Sequence, residues 1–241
     1  KIKKTYIDDV NYINDLNGNI DFNNNKINNL KLKSTFPNKK KIILTIKTNN
    51  NSETITKLLT AYPKPLIKRY DFIKGFEEGY LNFFSSKKEG VSNSVLIIDN
   101  FKVQEVPVFA KILSLASLQG IADLLTGEGI RFTDFEMNFS NQKGVTTIDE
   151  MYAIGPAVSI LMDGYIENKK LVSLRGTLVP ATTINRSIAS IPLLGKILIG
   201  NKTGEGIFGV SFKIKGPPKN LKTTVNPIKS LTPRFITRTL D

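Results

Sequence analysis

The chain contains no histidine, no cysteine and no tryptophan. Without imidazole or thiol there is no Ser-His-Asp or Cys-His nucleophile system, no thiolate or imidazole zinc site, no disulfide framework and no redox thiol. The chemistry that remains is that of carboxylates, lysine and oxygen-ligated hard metals, or none. Long apolar runs are missing too: no stretch approaches the roughly 18 consecutive apolar residues of a spanning helix. Arginine is scarce, with only Arg69, Arg131, Arg175, Arg186, Arg234 and Arg238 among 34 basic residues. That scarcity weakens the nucleic-acid reading that a net charge of +13 invites, because bidentate phosphate and base recognition favours Arg. Lysine is instead spread along the chain with Asn and Ile, as a solvated basic surface or an attraction to anionic membrane would have it.

At 241 residues and 40% hydrophobic, the chain is long enough to bury a substantial core. It opens on Lys1 rather than Met, and the expectation is a segment of a longer protein. Most of it reads as strands broken by Gly, Asn and Pro. Residues 1 to 60 are polar and Asn-rich, with strand pieces at 31 to 36 and 41 to 48, and read as ladder rather than core. Residues 52 to 59 read as a short helix capped by Ser52 and stopped by Pro63 and Pro65. Strands are expected again at 79 to 85 and 94 to 106.

From 107 to 125 the period changes. Phe109, Ile112, Leu113, Ala116, Ile121, Leu124 and Leu125 recur at helical spacing, Pro107 suits a first turn, and Gly127 suits a stop; Leu115 and Leu118 fall outside the stripe. Beyond Gly129 the pattern alternates again. Arg131, Thr133, Phe135, Met137 and Phe139 are expected on one face, opposed by Ile130, Phe132, Asp134 and Glu136. Segments 145 to 154, 157 to 166 and 170 to 179 follow with turn-sized links, which predicts an antiparallel meander and not a parallel sheet. The fold class expected is mainly β, a long, curved, groove-like antiparallel sheet with a few amphipathic helices at or near its end.

Thr-Gly-Glu-Gly-Ile occurs at 126 to 130 and again at 203 to 207, each time after an amphipathic stretch and before an alternating strand. The second copy satisfies G-x-G-x-x-G through Gly204, Gly206 and Gly209, but a dinucleotide loop follows a strand and opens a helix, the reverse of the order here. Residues 195 to 203 resemble a phosphate-binding loop, with Asn201 where the lysine should stand. Both copies therefore read as joints, with Gly127, Gly129, Gly204 and Gly206 permitting tight turns. Asp134, Glu136, Asp149 and Glu150, the carboxylates an enzyme would have to use, look like the polar face of strands.

One succession is more specific than any glycine motif. Gly176-Thr177-Leu178-Val179-Pro180 leads to Ile184-Asn185-Arg186, then Ile191-Pro192-Leu193-Leu194-Gly195, then Gly204-Glu205-Gly206-Ile207-Phe208-Gly209. Val225-Asn226-Pro227-Ile228, Leu231-Thr232-Pro233 and Phe235-Ile236 complete it. This order resembles the C-terminal region of the AsmA-like envelope proteins, most closely those of the YhdP type, over about residues 75 to 241. The resemblance implies a division into a β-rich segment at 1 to 105, continuing an upstream groove sheet, and a C-terminal module at 106 to 241. It further implies a periplasmic, non-catalytic protein without cofactor or metal, held to the inner membrane of a Gram-negative envelope through an upstream segment. Such a sheet would carry phospholipid in an apolar groove towards the outer membrane. The runner-up is a scaffold or assembly factor for outer-membrane proteins.

Candidate lining residues follow from the alternation: Phe135, Met137 and Phe139, then Val158, Ile160 and Met162, then Phe208, Val210, Phe212 and Ile214. The same alternation suits packing against the 107 to 125 helix or another strand, so it does not decide which face is inward. Pro180, Pro192, Gly195, Gly209 and Pro227 join the four glycines as turn or structural positions. At the C-terminus Leu231, Phe235 and Ile236 with Arg234 and Arg238 would suit contact with anionic headgroups or an envelope partner.

Overall fold

Residues 41 to 60 show locally why this chain forms a ladder. Ile42, Leu44 and Ile46 alternate with Ile43, Thr45 and Lys47, and β-branched residues suit a pleated, half-buried surface better than a helix. In a computed structural model of the protein this stretch forms β4 (Lys41–Thr48) and β5 (Thr54–Thr60). The structure describes residues 1–23, 26–68, 75–104, 111–112, 114–115, 129–168, 170–180, 207–218 and 220–231.

The short helix expected at 52 to 59 is therefore a strand. Ser52 sits in the turn with φ of 58°, and the Asn49 side chain accepts from the backbone N–H of Asn51 and Glu53, both at 3.0 Å. That Asx-type closure satisfies locally the amides a helix start would have used. Thr54, Ile55 and Thr56 then continue extended. Pro63 and Pro65 do not stop a helix; Pro63 caps one, the single turn α1 (Lys64–Ile67).

The remaining strands are β1 (Ile2–Tyr6), β2 (Tyr12–Asn23), β3 (Lys26–Thr35), β6 (Glu77–Lys88), β7 (Val91–Val103), β8 (Ile130–Gln142), β9 (Val145–Ile154), β10 (Val158–Glu167), β11 (Leu171–Pro180), β12 (Ile207–Gly216) and β13 (Lys222–Leu231). They form one 13-stranded antiparallel sheet in strict chain order, so the meander expected from the turn-sized links is observed, running unbroken past residue 105. Among the described residues the sheet is not closed into a barrel, and β1 and β13 are its outermost strands. Two hairpins show the turn chemistry directly. Glu89-Gly90 (φ 51° and 81°) and Lys143-Gly144 (φ 50° and 82°) are two-residue loops with both residues left-handed, the geometry that matches strand twist.

Cross-strand partners in an antiparallel sheet point to the same face, so the register can be followed as rows. One row runs Leu32, Leu44, Leu58, Phe83, Leu96, Met137, Met151, Met162, Gly176, Phe212, Val225 from β3 to β13. Beside it, Leu81, Ile98, Phe135, Ala153, Ile160, Leu178 and Val210 are successive partners from β6 to β12. On its other side Phe139, Ile148, Gly164, Leu174 and Ile214 follow one another. An extra residue in β9, near Asp149, keeps Ile148 under Phe139 while Met151 stays under Met137.

Within β8 the alternation changes phase, against expectation. Ile130 and Phe132 are buried, and Arg131 and Thr133 exposed, although Arg131 and Thr133 were expected to share a face with Phe135. Phe101 stacks on Phe132 at 5.3 Å and meets Phe135 edge-on at 6.2 Å, which puts both rings on one side. The physical reason lies at the same level in neighbouring strands: Glu78, Gly79 and Asn100 have φ of 64°, 89° and 52°. Left-handed residues inside strands rotate the chain and shift the side-chain phase, here along a line crossing the sheet. The buried core gathers on this side, from Ile67 and Phe76 through Phe101 and Phe132 to Leu178 and Val210, and includes Ile112. Lys111, Ile112, Ser114 and Leu115 are helical; Ile112 is buried and Leu115 exposed, as the expected stripe requires. The rest of the helix expected at 107 to 125 lies outside the described residues.

Candidate functional site: an apolar face of unequal cover

The continuous apolar face is buried at one end and open at the other. Leu178 and Val210 are 0% exposed, whereas Phe22 is 66% exposed. Ile20 pairs with Leu30 in line with the Phe139 row, and Phe22 follows two residues on, so the two lie on the same face. Ile20 and Ile27 are exposed as well, while Leu30, the partner of Ile20, is buried. Between the extremes the central row is half-buried at Leu32, Leu44, Leu58, Phe83, Leu96, Met137 and Met162.

Sequence reasoning placed the lining in β8, β10 and β12, and the structure divides those residues. Val158, Ile160, Val210, Phe212 and Ile214 are buried within the protein, where they already have partners. Phe135, Met137, Phe139 and Met162 are half-buried and remain accessible on the face. Phe208 is placed in β12 by its backbone. Leu32, Leu44 and Leu58 were missed because residues 1 to 60 read as polar ladder, and Phe83 and Leu96, in segments expected as strands, were not singled out. Their period-2 signal was present, diluted by Asn and Lys.

Of the joint residues, Gly129 is described: its φ is 81°, and a Cβ there would lie 2.6 Å from the Val103 carbonyl oxygen. That position needs glycine for conformation and for space. Gly127, Pro192, Gly195, Gly204 and Gly206 lie outside the described residues, as do Arg234, Phe235, Ile236 and Arg238. Pro180 ends β11, Pro227 stands within β13, and Leu231 ends β13, so the two prolines stand in strands and not in turns. β13 is an outermost strand among the described residues, where a missing N–H is tolerated. Gly209 lies in β12 beside a register irregularity against β13.

The carboxylates occupy the opposite face and are largely engaged. Glu136 accepts from Tyr152 Oη at 2.8 Å and from Asn138 Nδ2 at 2.9 Å. Burial, then the Glu136 bond, pushes the Tyr152 phenol well above its usual range. Asp134 accepts from Thr133 Oγ1 at 2.6 Å and stands directly opposite Asp99, whose carboxyl is raised by burial and by the Asp134 charge. Among the described residues no group of three Asp or Glu is arranged to hold a metal ion. No described helix is long and apolar enough to cross a membrane.

Comparison of the chain with protein-family models, with curated proteins and with solved structures finds no match.

Proposed function

We propose that the protein is a non-catalytic lipid-binding sheet whose apolar face shields phospholipid acyl chains, and that its setting is the periplasm of a Gram-negative envelope. The observation that carries this reading is the row of cross-strand partners from Leu32 to Val225, apolar at every position but Gly176, buried at Met151, Gly176 and Phe212 and half-open elsewhere. Strands about 4.8 Å apart make this row roughly 50 Å long, a continuous path instead of a pocket. Each acyl CH2 removed from water contributes about 0.8 kcal/mol, so a chain lying along several strands would be held by burial alone. Exposed apolar surface of this continuity marks a binding surface more often than bare solvent contact. The periplasmic setting, the inner-membrane attachment and the phospholipid cargo come from the AsmA-like resemblance, which also suggests the absence of catalysis.

In the scaffold reading the same apolar face meets a protein partner instead of lipid. Photocrosslinking amino acids at Phe22 and Phe139, with lipid extraction and native mass spectrometry of the purified chain, test the primary reading. Lipid adducts at both positions are expected. Protein adducts without lipid at either position would replace it with the scaffold.

A further inference from the structure

In a meander the hairpins alternate between the two ends of the strands, so the sheet has two rims. One rim collects the β2–β3, β4–β5, β6–β7, β8–β9, β10–β11 and β12–β13 connections. On it stand Lys47, Lys87, Lys88, Lys143, Lys170, Lys215 and Lys222, all exposed. Among the described residues none of the seven is in an ion pair. The acidic residues of this rim are Asp21, which stands level with Lys47 through Asn29, and Glu53, Glu89 and Glu167. Glu53 is already held by Ser86 and Asn49, which depress its carboxyl, with Lys88 contributing at longer range. Lys215 and Lys222 are direct cross-strand partners, a juxtaposition of like charge that an anion between them would relieve.

The other rim is also rich in cations, and two of them are in ion pairs. Lys64 pairs with Glu77 at 3.7 Å and Arg131 with Glu78 at 2.9 Å, while Lys40 lies over the Tyr62 ring. Lys39, Lys41 and Lys68 on that rim are also exposed and in no ion pair among the described residues, so what sets the first rim apart is its cross-strand Lys215–Lys222 pair and the meeting of Lys87 with the apolar face. Along the first rim, hairpins recur every second strand, roughly every 10 Å, about one Debye length at moderate salt. The lysines therefore maintain a continuous positive potential along the same direction as the apolar row. Lys87 lies two residues beyond Ser85 and four beyond Phe83, on the apolar face itself, so charge and apolar surface meet there.

We propose that this lysine rim binds the phosphate of anionic lipid headgroups while the acyl chains lie on the apolar face, giving the sheet a preference for anionic over zwitterionic phospholipid. The inference rests on the lipid-binding reading above and adds the headgroup class. Lysine suits it, since point charges on flexible stems follow a moving phosphate without fixing its orientation. The scarcity of arginine argues against a nucleic-acid occupant of the same rim.

The test incubates the purified chain with vesicles of phosphatidylcholine alone and of an equimolar mixture with phosphatidylglycerol, then quantifies protein-bound lipid. Wild type should enrich phosphatidylglycerol, and K88Q/K143Q/K170Q/K215Q should lower that enrichment by at least about tenfold while keeping phosphatidylcholine uptake. K64Q/K68Q on the other rim should leave it unchanged. An enrichment that survives the four substitutions, or equal uptake of both lipids by wild type, overturns the headgroup assignment alone. No uptake of either lipid by wild type overturns the lipid-binding reading with it. Inorganic phosphate, compared with chloride at equal ionic strength, should not abolish enrichment; if it does, the rim is a free-anion site and the proposal fails.

Discussion

Phe212 and Phe22 lie on the same face of the same sheet, and truncating them should have opposite consequences. Phe212 is 2% exposed and lies over Gly176, where a Cβ would come within 2.7 Å of its ring. Removing the ring loses its burial and leaves a cavity, because Val225 and Gly176 on either side are paired in the ladder and cannot close over it. At about 25 cal/mol per Å2 a phenylalanine burying roughly 150 Å2 or more contributes about 4 kcal/mol, inside the 3–5 kcal/mol typical of Phe→Ala in cores. Phe22, 66% exposed, has little burial to lose, and Phe22→Ser should change stability by less than about 0.5 kcal/mol. Urea unfolding should place the Phe212→Ala midpoint about 1 M or more below wild type, taking a slope near 3 kcal/mol/M for a chain of this size. Each strand pairs only with its neighbours, so hydrogen exchange should localise the loss to β11–β13 before β2–β5 responds. In lipid uptake the ranking should invert, with Phe22→Ser reducing crosslinkable lipid at the open end. Equal midpoints for the two variants would refute the division of the face into a sealed end and an open one.

Asp99→Asn should stabilise the protein at neutral pH. The raised carboxyl of Asp99 means its neutral form is favoured in the folded state, so its contribution is fully present below the ordinary value of 3.8 and is lost as pH rises through the raised one. Removing the charge opposite Asp134 should gain roughly 0.2–1 kcal/mol at pH 7 and nothing near pH 3, which thermal melts at the two pH values will read. Asp8 behaves oppositely: backbone and side-chain bonds from Asn11, then Val10, hold its carboxyl down to about 2. Its contribution is present above 3.8 and is lost as pH falls towards 2, so Asp8→Ala should speed amide exchange at Val10 and Asn11 at pH 6 and make no difference below pH 2. Gly129→Ala should destabilise by at least about 1 kcal/mol, since alanine is strained at φ of 81° and its methyl meets the Val103 carbonyl; an unchanged melting temperature would count against the joint.

How far the fold was legible depends on which signals are local. Turn-sized links between alternating segments sufficed for the antiparallel meander, since a short link cannot make a parallel crossover. The strand at 54 to 60 was misread because Ser52 and Glu53 imitate a helix start, while the competing turn depends on the side chain of Asn49. The phase change at Phe132 was invisible in β8, because the positive φ values that accompany it belong to Glu78, Gly79 and Asn100 on other strands. The site was half-legible for the same reason. Met137 and Phe139 announced an apolar face by their own alternation, but only pairing aligned them with Met151 and Ile148, and ultimately with Leu44 and Leu58 in a region that reads as polar.

The sequence by itself determined the strand period, the short connections and the exclusion of imidazole and thiol chemistry, because each is a property of neighbouring residues or of composition. Tertiary structure decided which of the alternating residues are covered. Ile160 and Met162 are two positions apart on one strand and equally apolar, yet one is 1% exposed and the other half-open, since burial depends on what the remainder of the chain lays over them. It also decided that lysines scattered from Lys47 to Lys222 share one rim, because the alternation of hairpin ends converts sequence distance into a line of charge.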